Sequence, residues 1–153
     1  MDEIERAEEK LMIKDGGVYL LVVDQSSEFK NALRTAAAYA SSHNAHVALL
    51  EVIEEPGFQQ WGAVEAQMIQ EARKKSEEHL WDAAQLLYDI GCPYPSFYIE
   101  AGNSQEALLR VLDDDHDVRA LVLAASPSSN PLISYFSGKG LSNLKVPLFI
   151  IPE

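Results

Sequence analysis

The stretch VYLLVVDQSSEFKNALRTAAAYA, residues 18–40, reads as a strand, a turn and a helix in that order. Residues 18–24 are a near-continuous aliphatic run closed by Asp24, the pattern of a strand covered on both faces. From Phe29 the apolar positions change period, to Leu33, Ala36 and Ala40, which share one helical face. Ser26 or Ser27 is placed to cap the start of that helix. A buried strand feeding a helix is the first half of a βαβ unit, so the fold depends on whether the unit recurs.

It does recur. HVALLEVI (46–53), SFYIEA (96–101), ALVLAAS (120–126) and VPLFIIP (146–152) are further short runs rich in branched aliphatics. A long helix is expected from about Ala63 to Ile90, with Met68, Ala72, Leu80, Ala83, Leu87 and Ile90 on one face and EARKKSEEH mostly on the other. Gly91 is a natural stop for it and Pro93 blocks its continuation. A third helix is expected to start at NSQE, with Asn103 as N-cap, Glu106 three residues on, and Leu108, Val111 and Leu112 facing the core. Residues 2–13 have the spacing of an extra amphipathic helix through Ile4, Ala7 and Leu11. The expected organisation is a helical extension over residues 1–15 and one α/β domain over residues 16–153. Alternating strands and helices specify a parallel sheet with right-handed crossovers. If it is doubly wound, the first strand is central, the fourth lies beside it, and ligands bind at their carboxyl ends. Those ends carry Asp24-Gln25-Ser26 and Ala125-Ser126.

Composition narrows the partners. At 153 residues and 47% hydrophobic content the chain supports one domain with a real core. Twenty-four acidic against twelve basic residues give a net charge of −12, which repels nucleic acid and anionic membranes at long range. The same charge does not exclude a mononucleotide, which a few local donors can hold. The apolar runs are too short to span a bilayer, and the start, MDEIERAEEK, is acidic where a signal peptide would be basic. Cys92 is the single cysteine, so no internal disulfide or cysteine cluster for zinc forms. A reducing cytoplasm is the expected location.

Residues 123–140, LAASPSSNPLISYFSGKG, leave the fourth strand and reach Gly138-Lys139-Gly140. Strand, loop, then glycines before a short helix is a layout that holds phosphate against backbone N–H groups. Here the front of the loop lacks glycine. Ala125 and Ser128 each add a Cβ, and Pro127 removes a donor. Ser126, Ser128 and Ser129 supply hydroxyls, Gly138 and Gly140 leave the second half permissive, and Lys139 adds a cation. The other reading of the loop is a structural crossover with serine turns.

The order and spacing of YLLVVDQSSEFKNAL, HVALLEVIEE, YIEAGNSQEALLRVL and ALVLAASPSSNPLISYFSGKGLSNLKVPLFIIPE resemble the universal stress protein family over roughly residues 18–153. The resemblance implies an open doubly wound five-stranded parallel sheet of order 3-2-1-4-5, with helices on both faces. It implies a stress-response or regulatory module and a homodimer built on the terminal strand, 146–152. One branch of the family binds ATP through a loop of Gly, two residues, Gly, nine residues, Gly, then Ser or Thr. On this chain that spacing falls on Ala125, Ser128, Gly138 and Lys139, so the length is kept while two glycines and the hydroxyl residue are replaced. By the same resemblance Asp24 lies near the adenosine and Val52 near a backbone contact to adenine. The implied ligand is ATP or AMP, weakly bound at Asp24, Val52, Ala125, Ser126, Ser128, Gly138, Lys139 and Gly140. Asp24 also reads as a partner of the helix that follows it. The alternative is a dimeric interaction module without nucleotide.

Other candidates read as structural. Phe58 or Trp61, in EEPGFQQWGA (54–63), could stack on a base, or pack beneath their loop. The DDDHD run (113–117) has metal-ligating residue types but falls in a turn at the amino side of the sheet, where a solvated acidic turn is expected. His43 and His46 flank a turn and suggest polar capping, and His79 has no ligand spacing with either. No nucleophile elbow or comparable constellation emerges around Cys92 or the serines, so no catalytic residues are expected.

Overall fold

The computed structural model describes residues 15–24, 29–53, 62–124 and 131–152. Its five strands are β1 (Val18–Val22), β2 (His46–Ile53), β3 (Ser96–Ala101), β4 (Val118–Ala124) and β5 (Leu148–Ile151). Between them lie α1 (Phe29–Ser42), α2 (Gly62–Asp89), α3 (Ser104–Asp114) and α4 (Pro131–Phe136), and a 3-10 turn (Lys139–Asn143) precedes β5. All pairings are parallel, in the order β3-β2-β1-β4-β5. This is the expected 3-2-1-4-5 sheet. The expected amphipathic helix at residues 2–13 and the capping serines Ser26 and Ser27 lie outside the described residues.

The centre of the sheet is as apolar as its sequence. Every residue of β1 is buried, and side chains alternate between two cores. Leu21, Leu49 and Val122 pack under α1 and α2, with Leu33, Leu80 and Leu87. Leu20, Leu50 and Leu121 pack under α3 and α4, with Leu108, Val111 and Phe136. Fully burying one such leucine contributes roughly 1.5–3 kcal/mol, so both layers favour the central strands strongly.

The helix boundaries follow local chemistry. The Asn103 side chain accepts from the N–H groups of Gln105 (2.9 Å) and Glu106 (3.2 Å), as an N-cap does. At the end of α2, Gly91 takes φ +89°, and the N–H of Cys92 donates to the Leu87 carbonyl at 2.9 Å. That left-handed residue satisfies the last carbonyls and turns the chain out of the helix.

Three expectations change. Leu80, Ala83 and Leu87 are buried, but Met68 and Ile90 are about half exposed. The 28-residue helix is about 42 Å long at 1.5 Å per residue, longer than a strand of eight can cover. β3 is half-buried rather than covered on both faces, because it is an edge strand. His43 does cap locally, its Nδ1 lying 2.8 Å from the Tyr39 carbonyl, whereas the His46 Nε2 pairs with Ser96 Oγ on the neighbouring strand at 2.9 Å.

Candidate functional site

The carboxyl edge of the sheet collects the first part of the candidate site. The N–H of Val23 donates to the Leu50 carbonyl at 2.8 Å, which carries the β1–β2 pairing one step beyond Val22. Continuing that register places Asp24 level with Val52 on the adjacent strand. The Val52 side chain packs into the α3–α4 core, so it is the backbone of Val52 that faces the edge. Ala124, the last residue of β4, leaves the sheet at the same edge, because the strands are parallel.

Asp24 is half-buried and borders a cleft of about 460 Å³ between α1 and α2. Phe29, Lys30 and Leu33 form the α1 wall, and His79 and Asp82 belong to the α2 wall. The cleft mixes apolar surface with a few charged groups, as small-molecule sites do. Among the described residues that line it, Lys30 is the one lysine or arginine, against Asp24, Asp82 and Asp89.

The loop after β4 divides. Ala125, Ser126 and Ser128, with Pro127 and Ser129, lie outside the described residues, as do Phe58 and Trp61. Its second half is described. Gly138 precedes the 3-10 turn, and its N–H donates to the Tyr135 carbonyl at 3.2 Å. A Cβ there would meet nothing closer than the Ser134 carbonyl oxygen at 3.7 Å. Lys139 is exposed, and its carbonyl accepts from the Ser142 hydroxyl at 3.0 Å. Gly140 differs: it is buried, and a Cβ would collide with Cε1 of Tyr135. That ring is held in turn, because its hydroxyl accepts from Asn143 Nδ2 at 3.0 Å and it packs edge-on against Phe136. Gly140 is therefore required by packing within the loop, whatever the loop binds.

The acidic run is built as a helix end. Asp113 and Asp114 close α3 and Asp115 is its C-cap. The Asp115 carboxylate accepts from the Tyr98 hydroxyl and from the N–H of Asp117 (3.0 Å). Burial and the adjacent Asp115 carboxylate push the Tyr98 hydroxyl well above the usual phenol range, so it stays a donor. Among the described residues no group of three or more His, Cys, Asp or Glu side chains is placed to hold a metal ion. None of the described helices is long and apolar enough to cross a membrane. Cys92 is half-buried against the α1–α2 core.

One polar group escaped the sequence reading. Glu51, in the middle of an apolar strand, is only 8% exposed and lies 3.1 Å from Nδ1 of His79 on α2. Ser76, one turn earlier on α2, is buried with it. Burial pushes the Glu51 carboxyl above its ordinary range, while the His79 ring and the Ser76 hydroxyl pull the other way. The signal was a lone Glu inside HVALLEVI; its partner, 28 residues on, had no mark of its own.

Known structures share this architecture. The universal stress protein UspA from Lactobacillus plantarum superposes with a TM-score of 0.75 at 16% identity, over 88% of this chain and 97% of its own. A universal stress protein in complex with cAMP gives a TM-score of 0.65 at 16% identity, over 88% and 96% of the two chains. The universal stress protein from Archaeoglobus fulgidus in complex with dAMP gives 0.58 at 16% identity, over 88% and 97%. No curated protein sequence matches significantly. The model of the universal stress protein family matches residues 19–138, from β1 through the sheet's carboxyl edge to Gly138. With most of its length matched in the expected strand order, the chain belongs to the universal stress protein family.

Proposed function

We propose that this chain is a dimeric, non-enzymatic stress-response module of the cytoplasm that binds an adenine nucleotide, ATP or AMP, weakly at the carboxyl edge of its sheet. The observation that carries the reading is the level placement of Asp24 and the Val52 backbone beside the exit of β4. Asp24 accepts hydrogen bonds from ribose or base donors, and the Val52 backbone meets adenine. Phosphate falls to the loop, where Ala125, Ser126 and Ser128 form a front half bulkier than a glycine cradle. Gly138 leaves room behind it, and Lys139 neutralises charge as a point cation rather than a fitted cradle. The cAMP and dAMP complexes of two structural neighbours support the ligand class.

Weak, salt-sensitive binding is the expected result of calorimetry with ATP and AMP, because an exposed ammonium is screened. Lys139→Ala lowers the affinity while leaving the thermal stability of the free protein nearly unchanged. Asp24→Ala costs about 1–2 kcal/mol of binding, the scale of losing hydrogen bonds to a charged acceptor. No binding at millimolar nucleotide and low salt rejects the reading. If Ala125→Gly with Ser128→Gly then creates binding, the missing glycines were the cause.

A second reading, an interaction module without nucleotide, draws on Gly140. Its lack of a side chain is explained by Tyr135 alone, so it needs no phosphate to account for it. Mass spectrometry of small molecules released on denaturing the purified protein separates the two readings.

A further inference from the structure

Four aromatic rings gather over the β3 edge of the sheet. Trp81 of α2 meets Phe97 of β3 edge-on, with centroids 5.4 Å apart and planes at 78°. It meets Tyr94 in the same manner at 6.2 Å, and Tyr94 stacks flat on Tyr88 at 4.9 Å. Three of the rings stand largely in solvent: Trp81 is 59% exposed, Tyr88 55% and Tyr94 48%. A contiguous exposed patch of large rings marks an interaction surface, and Trp and Tyr are the side chains that most often carry binding energy.

The strand beneath lies at the end of the sheet: among the described residues β3 pairs with β2 alone. The N–H of Gly102 donates to the Ile53 carbonyl at 2.9 Å. Alternation along the strand then turns the N–H groups of Phe97, Ile99 and Ala101 away from β2. The flanking charge has one sign. From Ser76 to Asp89, α2 carries Glu77, Glu78, Asp82 and Asp89, all exposed, and no lysine or arginine. Glu77 and Glu78 lie one turn before Trp81, and Asp89, held by Gln85 at 2.8 Å, follows Tyr88. The nearest cations on the helix, Lys74 and Lys75, precede this stretch. Arg110 pairs with Glu100 at 3.4 Å from α3, on the opposite layer.

We propose that this edge docks an extended lysine- or arginine-rich segment of another protein, which adds to β3 as a strand and lays its cations across Trp81 and Tyr94. Strand addition supplies main-chain hydrogen bonds, and alternate side chains then rise on the α2 side, where the rings and carboxylates stand. A guanidinium or ammonium over an indole or phenol face gains cation–π energy, with Glu77 and Glu78 in reach of the same charge. The net charge of −12 draws such a segment in. A second copy of this chain would bring the same acidic face against itself, and like charge disfavours it. The proposal is independent of the nucleotide reading, since Trp81, Tyr94, Glu77, Glu78 and the β3 edge take no part in that site.

The test is calorimetry of the full chain with a synthetic peptide of alternating arginine and threonine, against a matched peptide with glutamate for arginine. Saturable binding of the arginine peptide alone, weakening with salt, is expected. Trp81→Ala lowers the affinity about thirtyfold, the loss at which a residue counts as a binding hot spot. Ala101→Pro removes an outward N–H without touching the β2 pairing and lowers the affinity as well. In the unmodified protein, the peptide slows amide exchange at Phe97, Ile99 and Ala101. The proposal is overturned by any of four results: no binding at low ionic strength, equal binding of the glutamate peptide, unchanged affinity in either variant, or no added protection of those three amides. A Trp81-dependent dimer formed without peptide also overturns it, by making a second copy the occupant.

Discussion

At the scale of single residues, the loop glycines separate by what surrounds them. A Cβ on Gly140 collides with the Tyr135 ring, whereas one on Gly138 meets only ordinary contacts. Tyr135 is braced by Asn143 and Phe136, so it cannot yield freely. Gly140→Ala is expected to destabilise the protein by about 1–3 kcal/mol, the cost of overpacking a fitted site. Gly138→Ala should cost less than Gly140→Ala, because its Cβ meets only ordinary contacts. Urea unfolding of both variants checks this, and equal losses would remove the distinction. The two glycines are indistinguishable in SGKG, because the collision involves a ring five residues back across the turn from α4.

At the scale of elements, the seam between β2 and α2 holds a buried carboxyl, Glu51. The ordinary pKa of the Glu51 carboxyl is 4.5, and burial raises it. A carboxyl raised on folding binds its proton more tightly in the folded state. Its penalty is absent below the unfolded pKa, grows as pH rises through the folded one, and is constant above. Glu51→Gln removes that penalty, so the variant should gain on the wild type between pH 4.5 and neutrality. Urea titrations at the two ends of that window test it; an identical difference at both would show that Glu51 does not titrate there. Elements whose ends are set locally were legible: Asn103 caps α3 and Gly91 ends α2. The apolar face of α2 was legible only over its second half. Met68 keeps the helical spacing but stands off the core.

At the scale of the whole molecule, the open sheet leaves two edges to manage. β5 is one, and its four residues are LFII. Phe149 turns inward and stacks on Tyr39 at 5.8 Å and Tyr19 at 6.2 Å, so a charge there would damage the fold itself. Ile150 is 41% exposed and is the cleaner probe. Light scattering should find a dimer at micromolar concentration, and Ile150→Lys should halve the mass while leaving the helical content unchanged. A monomeric wild type would reject the dimer, and a dimer indifferent to Ile150→Lys would move the interface elsewhere. The β3 edge carries carboxylates and exposed rings instead, so the two edges are chemically suited to different partners.

Hydrophobic period and capping are short-range properties, and they determined the elements and their order along the chain; the central place of β1, which has no face left for water, followed from the doubly wound order that the family resemblance implied. They also placed Asp24 and Val52 at the ends of the first two strands. What only the tertiary structure decided is which side chains meet across elements. Glu51 finds His79, Trp81 crosses to Tyr94 and Phe97, and Tyr135 folds back over Gly140. A linear pattern records how often a position faces water, averaged along one element. The partner of a buried charge or an exposed ring depends on how two elements cross, and that geometry is set by the packing of both cores at once.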